Sequence, residues 1–360
     1  WFSHNVAVGA SAELPYGIDL QSDGRIVVAE TVEHGGATAD PRDRDVAVLR
    51  ITASGMLDST FATGGVALLD LSDGEAEPPP STVYVADSAR NLEVDALDRI
   101  VVAVGLKRAG AIDTDFGVVR LSPGGVLDPT FGIGGVASVD IANLSGTVRN
   151  LHILPDGRIV ASGYYTEANI IRPVMYALDD GGALDTAFGT GGISTDVALA
   201  LQAEINDFDA QSTGALVTSG YGRDSGTTND PITMRYDATT GVRDLTYGTT
   251  NGVGILGGHA FADNGRQVAV LPDDRVMLVG QLRSSGSLTD GAVMVFSEDG
   301  VPDASFGTGG AEVFDLADGI VDHYWGVEVD PRGERVVVVG IGGTTPATDD
   351  DGVVYRFPVP

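Results

Sequence analysis

The stretch Leu127-Asp128-Pro129-Thr130-Phe131-Gly132-Ile133-Gly134-Gly135-Val136 recurs, with small changes, at Leu57–Val66, Leu184–Ile193, Arg243–Val253 and Pro302–Ala311. Its aromatics, Phe61, Phe131, Phe188, Tyr247 and Phe306, are 70, 57, 59 and 59 residues apart. A period near sixty is too long for a pair of helices of the ankyrin or tetratricopeptide kind and holds about four short strands with their turns. The one long step marks an insertion. A chain of 360 residues would otherwise suggest two or three domains, but a continuous repeat predicts one body, spanning 1–360, assembled from successive copies.

A second marker is a tight turn before an apolar run: Asp23-Gly24-Arg25-Ile26-Val27, Asp98-Arg99-Ile100-Val101, Asp156-Gly157-Arg158-Ile159-Val160, Thr213-Gly214-Ala215-Leu216-Val217, Asp274-Arg275-Val276-Met277 and Glu334-Arg335-Val336-Val337. Asp-Gly between apolar runs is a hairpin signal, because both residues accept positive φ. The β-branched run after it is that of a strand buried on both faces. A third marker places an acid five residues before an arginine: Asp45 and Arg50, Asp115 and Arg120, Asp230 and Arg235, Asp351 and Arg356.

Each copy therefore reads as strand, Asp-Gly turn, strand, variable loop, strand, Gly turn with the Leu-Asp-x-x-Phe-Gly motif, strand. The fold expected is all-β, a six-bladed β-propeller of four-stranded antiparallel blades near 14–71, 88–142, 147–199, 203–256, 264–317 and 322–358. The last copy ends after three strands, and Phe2–Val8 aligns with Phe61–Leu68. Residues 1–10 are thus expected to supply the missing strand and close the ring, which leaves no open sheet edge.

The Leu-Asp-x-x-Phe-Gly-x-x-Gly motif, the Asp-Gly-Arg-Ile-Val run and the Asp-x-x-x-x-Arg-Leu strand resemble the delta-60 repeat family of bacterial β-propellers over essentially the whole chain. The fourth copy departs most, with Arg243 in place of the leucine and Tyr247 in place of the phenylalanine. The resemblance implies a propeller often found in secreted or cell-surface proteins. It brings no catalytic residues.

Composition narrows the partners. The formal charge is −30 and Lys107 is the only lysine; such a field repels nucleic acid and anionic membranes, which are held through Lys and Arg. No apolar run approaches the roughly 20 residues of a membrane-spanning helix, so membrane insertion is not expected. Without cysteine there is no disulfide framework and no thiol chemistry. A start at Trp1 rather than Met reads as a processed mature form or as a piece excised from something longer, and the chain is expected to be a monomer or part of a larger one.

Candidate sites follow from the topology. The variable loops and the insertion Leu71–Ala89 share one face, where loops on a rigid scaffold place binding. Clustered carboxylates are the hard ligands that calcium, the candidate cofactor, takes: Asp43 and Asp45 in one loop, Asp349, Asp350 and Asp351 in another. The bland alternative is turn capping and surface charge. Alternation along the innermost strands turns Ile18 and Leu20, with their counterparts, towards neighbouring blades. It turns Asp19, Glu93, His152 and Glu328 towards a central channel, and blade four, with Asn206 and Phe208, departs from the pattern. Such groups hold a cation or line a wet channel. Tyr164-Tyr165 and Tyr324-Trp325 either bind sugar or peptide or seal blade junctions.

Gly-x-Ser-x-Gly, His-Glu-x-x-His and phosphate-loop motifs are missing from the sequence. The function expected is a non-enzymatic binding or scaffold module outside the cytoplasm, recognising a protein or carbohydrate at the acidic loop face. The rival is a calcium-dependent hydrolase or lyase at the channel mouth, with Asp19, Glu93 and Glu328 as ligands and His152 as base. A third is a purely structural domain of a surface protein.

Overall fold

The computed structural model describes residues 6, 13–33, 44–72, 87–107, 113–257, 262–283, 289–314, 322–342 and 351–360. These residues form 23 strands and no helix, arranged as five four-stranded antiparallel sheets and one of three strands. The architecture is the six-bladed β-propeller that the repeat predicts. The expected closing strand at 1–10 lies outside the described residues, apart from Val6.

Within a blade the strands pair in chain order, as in the first: Glu13–Leu20, Ile26–Glu33, Arg44–Ile51 and Val66–Leu69. The chain divides into two compact units, Trp1–Glu167 with Ala177–Asp185, and Ala168–Tyr176 with Thr186–Pro360. In the first unit the strand Glu13–Leu20 meets Ser88–Val94, which in turn meets Gly146–Ile153. In the second, Gln202–Ala210 meets Asn264–Val270, and that strand meets His323–Val329. The first strand of each blade is therefore the inner one.

The turn chemistry is as the residue types demand. Gly24, Gly157 and Gly214 take positive φ, and where the glycine is missing Asp98 and Asp274 take φ of 61° and 65°. The strand after the turn is the buried layer; Ile100–Leu106 is buried along its full length. In the first unit the core runs from Val27, Ala29 and Val48 through Phe61 to Leu92, Val102 and Leu121.

The repeated motif docks one blade on the next. Phe61, Phe131, Phe188 and Tyr247 are wholly buried, and each lies against a glycine turn of the following blade. A Cβ on Gly125 would come within 2.6 Å of the Phe61 ring, so no other residue fits there. Above the ring sits an arginine. The Arg50 guanidinium is 4.7 Å from the Phe61 centroid, donates Nε–H to Asp58 at 2.8 Å and donates Nη1–H to the Pro123 carbonyl at 2.7 Å. Arg120 with Asp128 and Phe131, and Arg235 with Asp244 and Tyr247, repeat the arrangement. The partner of Arg50 is thus the motif aspartate rather than Asp45, five residues before it. Asp58 also accepts the Thr60 N–H and hydroxyl, as expected of a capping aspartate. These bonds, joined by Arg25 and Arg50, hold its carboxyl well below the usual range.

Two expectations are corrected. Ile18 and Leu20 of the first blade are exposed rather than covered. In blade four the inward positions belong to Asp207 and Asp209, one residue on from Asn206 and Phe208; Phe208 is buried and Asn206 is an extra residue in the strand.

Candidate functional site on the inner strands

Every inner strand carries a β-bulge at the same place. The residue left out of the pairing is Tyr16, Arg90, Arg149, Asn206, Arg266 or Trp325 in blades one to six. An extra residue on one strand twists it and re-aims that side chain. Opposite the bulge the second strand carries Gly163, Gly220, Gly280 or Gly340, where a Cβ would come within 2.0 to 2.1 Å of a backbone oxygen of the inner strand. Blade one has Glu30 at this level, paired with Pro15 beside Tyr16. Glu30 is buried, and burial first, then the neighbouring Glu13, pushes its carboxyl up to about 7.

The bulge residues bring cations and rings together. In the first unit the Arg90 guanidinium lies 5.0 Å from the Tyr16 centroid, and that of Arg149 lies 5.1 Å from Tyr164. Tyr164 and Arg149 also bear electrostatically on Arg90, whose pKa is lowered first by burial. In the second unit Arg266 lies 4.7 Å from Trp325, whose ring is near His323. The arginines were missed in the sequence, although the signal is present: Arg90-Asn91, Arg149-Asn150 and Arg266-Gln267 stand at matching points.

Below the bulge, polar side chains staple neighbouring inner strands. The Asn91 amide donates to Asn150, and Asp207 accepts the Val268 N–H at 3.0 Å. Gln267 accepts the Val327 N–H at 2.6 Å. One layer further, Asp19 accepts Val94 N–H and Asp209 accepts Val270 N–H, both at 2.7 Å, and Glu93 Oε2 accepts Ile153 N–H at 2.7 Å. Glu93 Oε1 contacts His152 Nδ1. Glu93 and Ile153 also line a cleft of about 310 Å³ with Arg99, Arg120 and Asp180.

The sequence-predicted residues thus separate. Asp19, Glu93 and His152 come together on the inner strands of the first unit, while Glu328 is exposed on the last inner strand in the second unit. Asp19 caps Leu20 and Val94, which gives its carboxylate a structural task. Asp43, Asp349 and Asp350 lie outside the described residues; Asp45 is buried and Asp351 opens the strand Asp351–Pro358. The carboxylates that do converge among the described residues are Asp113, Asp115 and Asp140, whose ligand atoms lie within 4.8 Å of one another. Strand alternation splits both aromatic pairs: Tyr165 and Tyr324 are core residues, whereas Tyr164 and Trp325 stand over or under arginines.

No curated protein matches the chain. Among solved structures it is similar to an ulvan lyase described as a new family of polysaccharide lyase, at TM-score 0.50 and 9% identity, over 95% of this chain and 78% of that one. It is also similar to the α-L-arabinanase of Penicillium chrysogenum complexed with arabinobiose, at TM-score 0.48 and 10% identity over 96% and 92%. A Hadza microbial sialidase follows at TM-score 0.47 and 12% identity over 91% and 63%. At such identities the likeness is one of fold. The non-enzymatic binding or scaffold propeller expected from the sequence is corrected on this finding: the similar propeller at TM-score 0.50 is a polysaccharide lyase, so the likeness of fold gives the non-enzymatic reading no support. The family model "Domain of unknown function (DUF5122) beta-propeller" matches residues 98–131, the stretch from the Asp98 turn of the second blade to its motif phenylalanine, so the chain is similar there to a propeller family.

Proposed function

We propose that this chain is a carbohydrate-active enzyme, a hydrolase or lyase built from delta-60-type repeats, with its reactive centre at His152 on the inner strands of the first unit. The observation that carries this is the contact of His152 Nδ1 with Glu93, whose other oxygen is tied to the Ile153 N–H. A carboxylate on Nδ1 fixes the ring and its tautomer and raises the basicity of Nε2. A histidine so held is suited to take a proton from water in a hydrolysis, or from the sugar carbon in an elimination. No metal is assigned to Asp19 or Glu93 in this role, because their oxygens cap backbone N–H groups.

The test is a panel of neutral and acidic polysaccharides, followed by reducing-end release for hydrolysis and by ultraviolet absorbance of unsaturated sugar for elimination. Turnover of one class is expected, with His152→Ala slowing it roughly 10²- to 10⁴-fold and leaving the melting temperature near that of the parent. An unchanged rate in that variant, or no turnover across the panel, removes the proposal.

A further inference from the structure

Arg90 differs from the arginines of this acidic chain that an aspartate holds. Arg25, Arg50, Arg99, Arg120, Arg158, Arg235, Arg243 and Arg275 each pair with an aspartate. Arg90 has no carboxylate partner among the described residues; its Nε lies buried without a hydrogen bond, and the groups that bear favourably on its charge are Tyr16 and Tyr164. A desolvated guanidinium stabilises the fold only when its donors are met. The bulge has moved Arg90 out of the strand pairing and set it against an exposed ring, with Arg149 and Tyr164 arranged the same way one blade on.

We infer that Tyr16, Arg90, Arg149 and Tyr164 form a subsite for an anionic sugar, one whose ring carries a carboxylate or a sulfate ester. The chemistry follows from the parts. A planar guanidinium binds a carboxylate or sulfate through two parallel N–H donors, which lysine does not do. A tyrosine face offers the apolar platform on which the C–H face of a pyranose packs, with a hydroxyl at its rim. The Arg90 guanidinium, in an otherwise negative protein, also concentrates the attraction at one place, so that an acidic glycan repelled elsewhere is held here. The inference deepens the proposed function and rests on its choice of a glycan as ligand.

The experiment is calorimetric titration of the full chain with an oligogalacturonate, with its carboxyl-reduced neutral counterpart, and with a neutral oligosaccharide bearing sulfate esters. One charged ligand is expected to bind about tenfold or more tightly than the neutral one, with affinity falling as salt rises. Preference for the uronate assigns a carboxylate, and preference for the sulfated sugar assigns a sulfate ester. Arg90→Gln and Tyr16→Ala are each expected to lower that affinity about tenfold or more, while Arg90→Lys, which keeps charge and loses the fork, falls between. Thermal melts of each variant establish that it is folded. Equal binding of the neutral ligand, absence of binding by both charged ligands, or unchanged affinity in both Arg90→Gln and Tyr16→Ala overturns the inference. Binding of a charged sugar through Arg90 without any turnover keeps this subsite and removes the enzymatic proposal. Turnover confined to neutral glycans does the reverse.

Discussion

Phe131 shows what one residue does in this chain. Its ring is wholly buried, lies under Arg120 at 4.6 Å and rests against Gly182 of the next blade. Replacing it with alanine removes the packing and leaves a hole beneath a buried cation. We expect Phe131→Ala to lower stability by about 3–5 kcal/mol in urea unfolding. Arg120 is bound on the same spot to Asp128 at 2.9 Å and to Asp180 at 3.0 Å. Arg120→Ala removes the buried cation while Asp128 keeps its bonds from Thr130, and should cost less than the loss of the ring, about 1–3 kcal/mol. The two changes share one contact, so the double variant is expected to lose less than the sum of the two; additive losses would show that ring and cation act separately.

Among elements, the inner strand does two jobs. Its regular positions carry staples such as Asp209 on Val270 N–H, and its bulge carries Arg90 or Trp325. Asp209→Ala should cost about 1–2 kcal/mol, the worth of a charged cap on a half-buried N–H, and should leave glycan binding untouched. A loss below a few tenths of a kcal/mol would mean that the staple is ornamental. The four-strand blade was legible in the sequence because turn glycines, β-branched runs and the buried aromatic each follow from local chemistry at a fixed period. The inward ladder was legible for Asp19, Glu93 and His152, and slipped by one in blade four, where Asn206 is the bulge residue and Asp207 and Asp209 hold the inward positions. Tyr164-Tyr165 and Tyr324-Trp325 looked like pairs for the same reason: adjacency in sequence says nothing of which member a strand turns inward. The arginines escaped notice because a residue at a bulge and one in the strand ladder look identical in one dimension.

For the whole molecule, charge governs the response to pH. Asp244 is lowered to about 2, first by its bond from Thr246 and then by Arg235, and Asp58, Asp128 and Asp303 are lowered in the same way. A depressed carboxyl contributes stability that is present above its unfolded value near 3.8 and lost as pH falls through its folded one. Glu30 and Asp87 act in the opposite sense: burial raises them to about 7 and about 6. Their contribution is complete below the unfolded values and is lost as pH rises through 6 to 7. Thermal melts across pH should therefore peak on the acid side of neutrality, between these two windows. Glu30→Gln should flatten the fall that runs from pH 4.5 up to about 7 and leave the acid limb alone; a fall as steep as that of the parent would show that Glu30 is ionised without cost. The bulge has a last consequence, one of heredity. When a gene of this kind grows by copying a blade, each copy brings one side chain that belongs to neither the core nor the hydrogen-bond ladder. That codon differs from blade to blade, tyrosine, arginine, asparagine or tryptophan, while the buried aromatic and the turn glycines beside it keep to the repeat. Three such slots per unit amount to a short alphabet written on an unchanging page, and a lineage would alter what it recognises by respelling those letters alone.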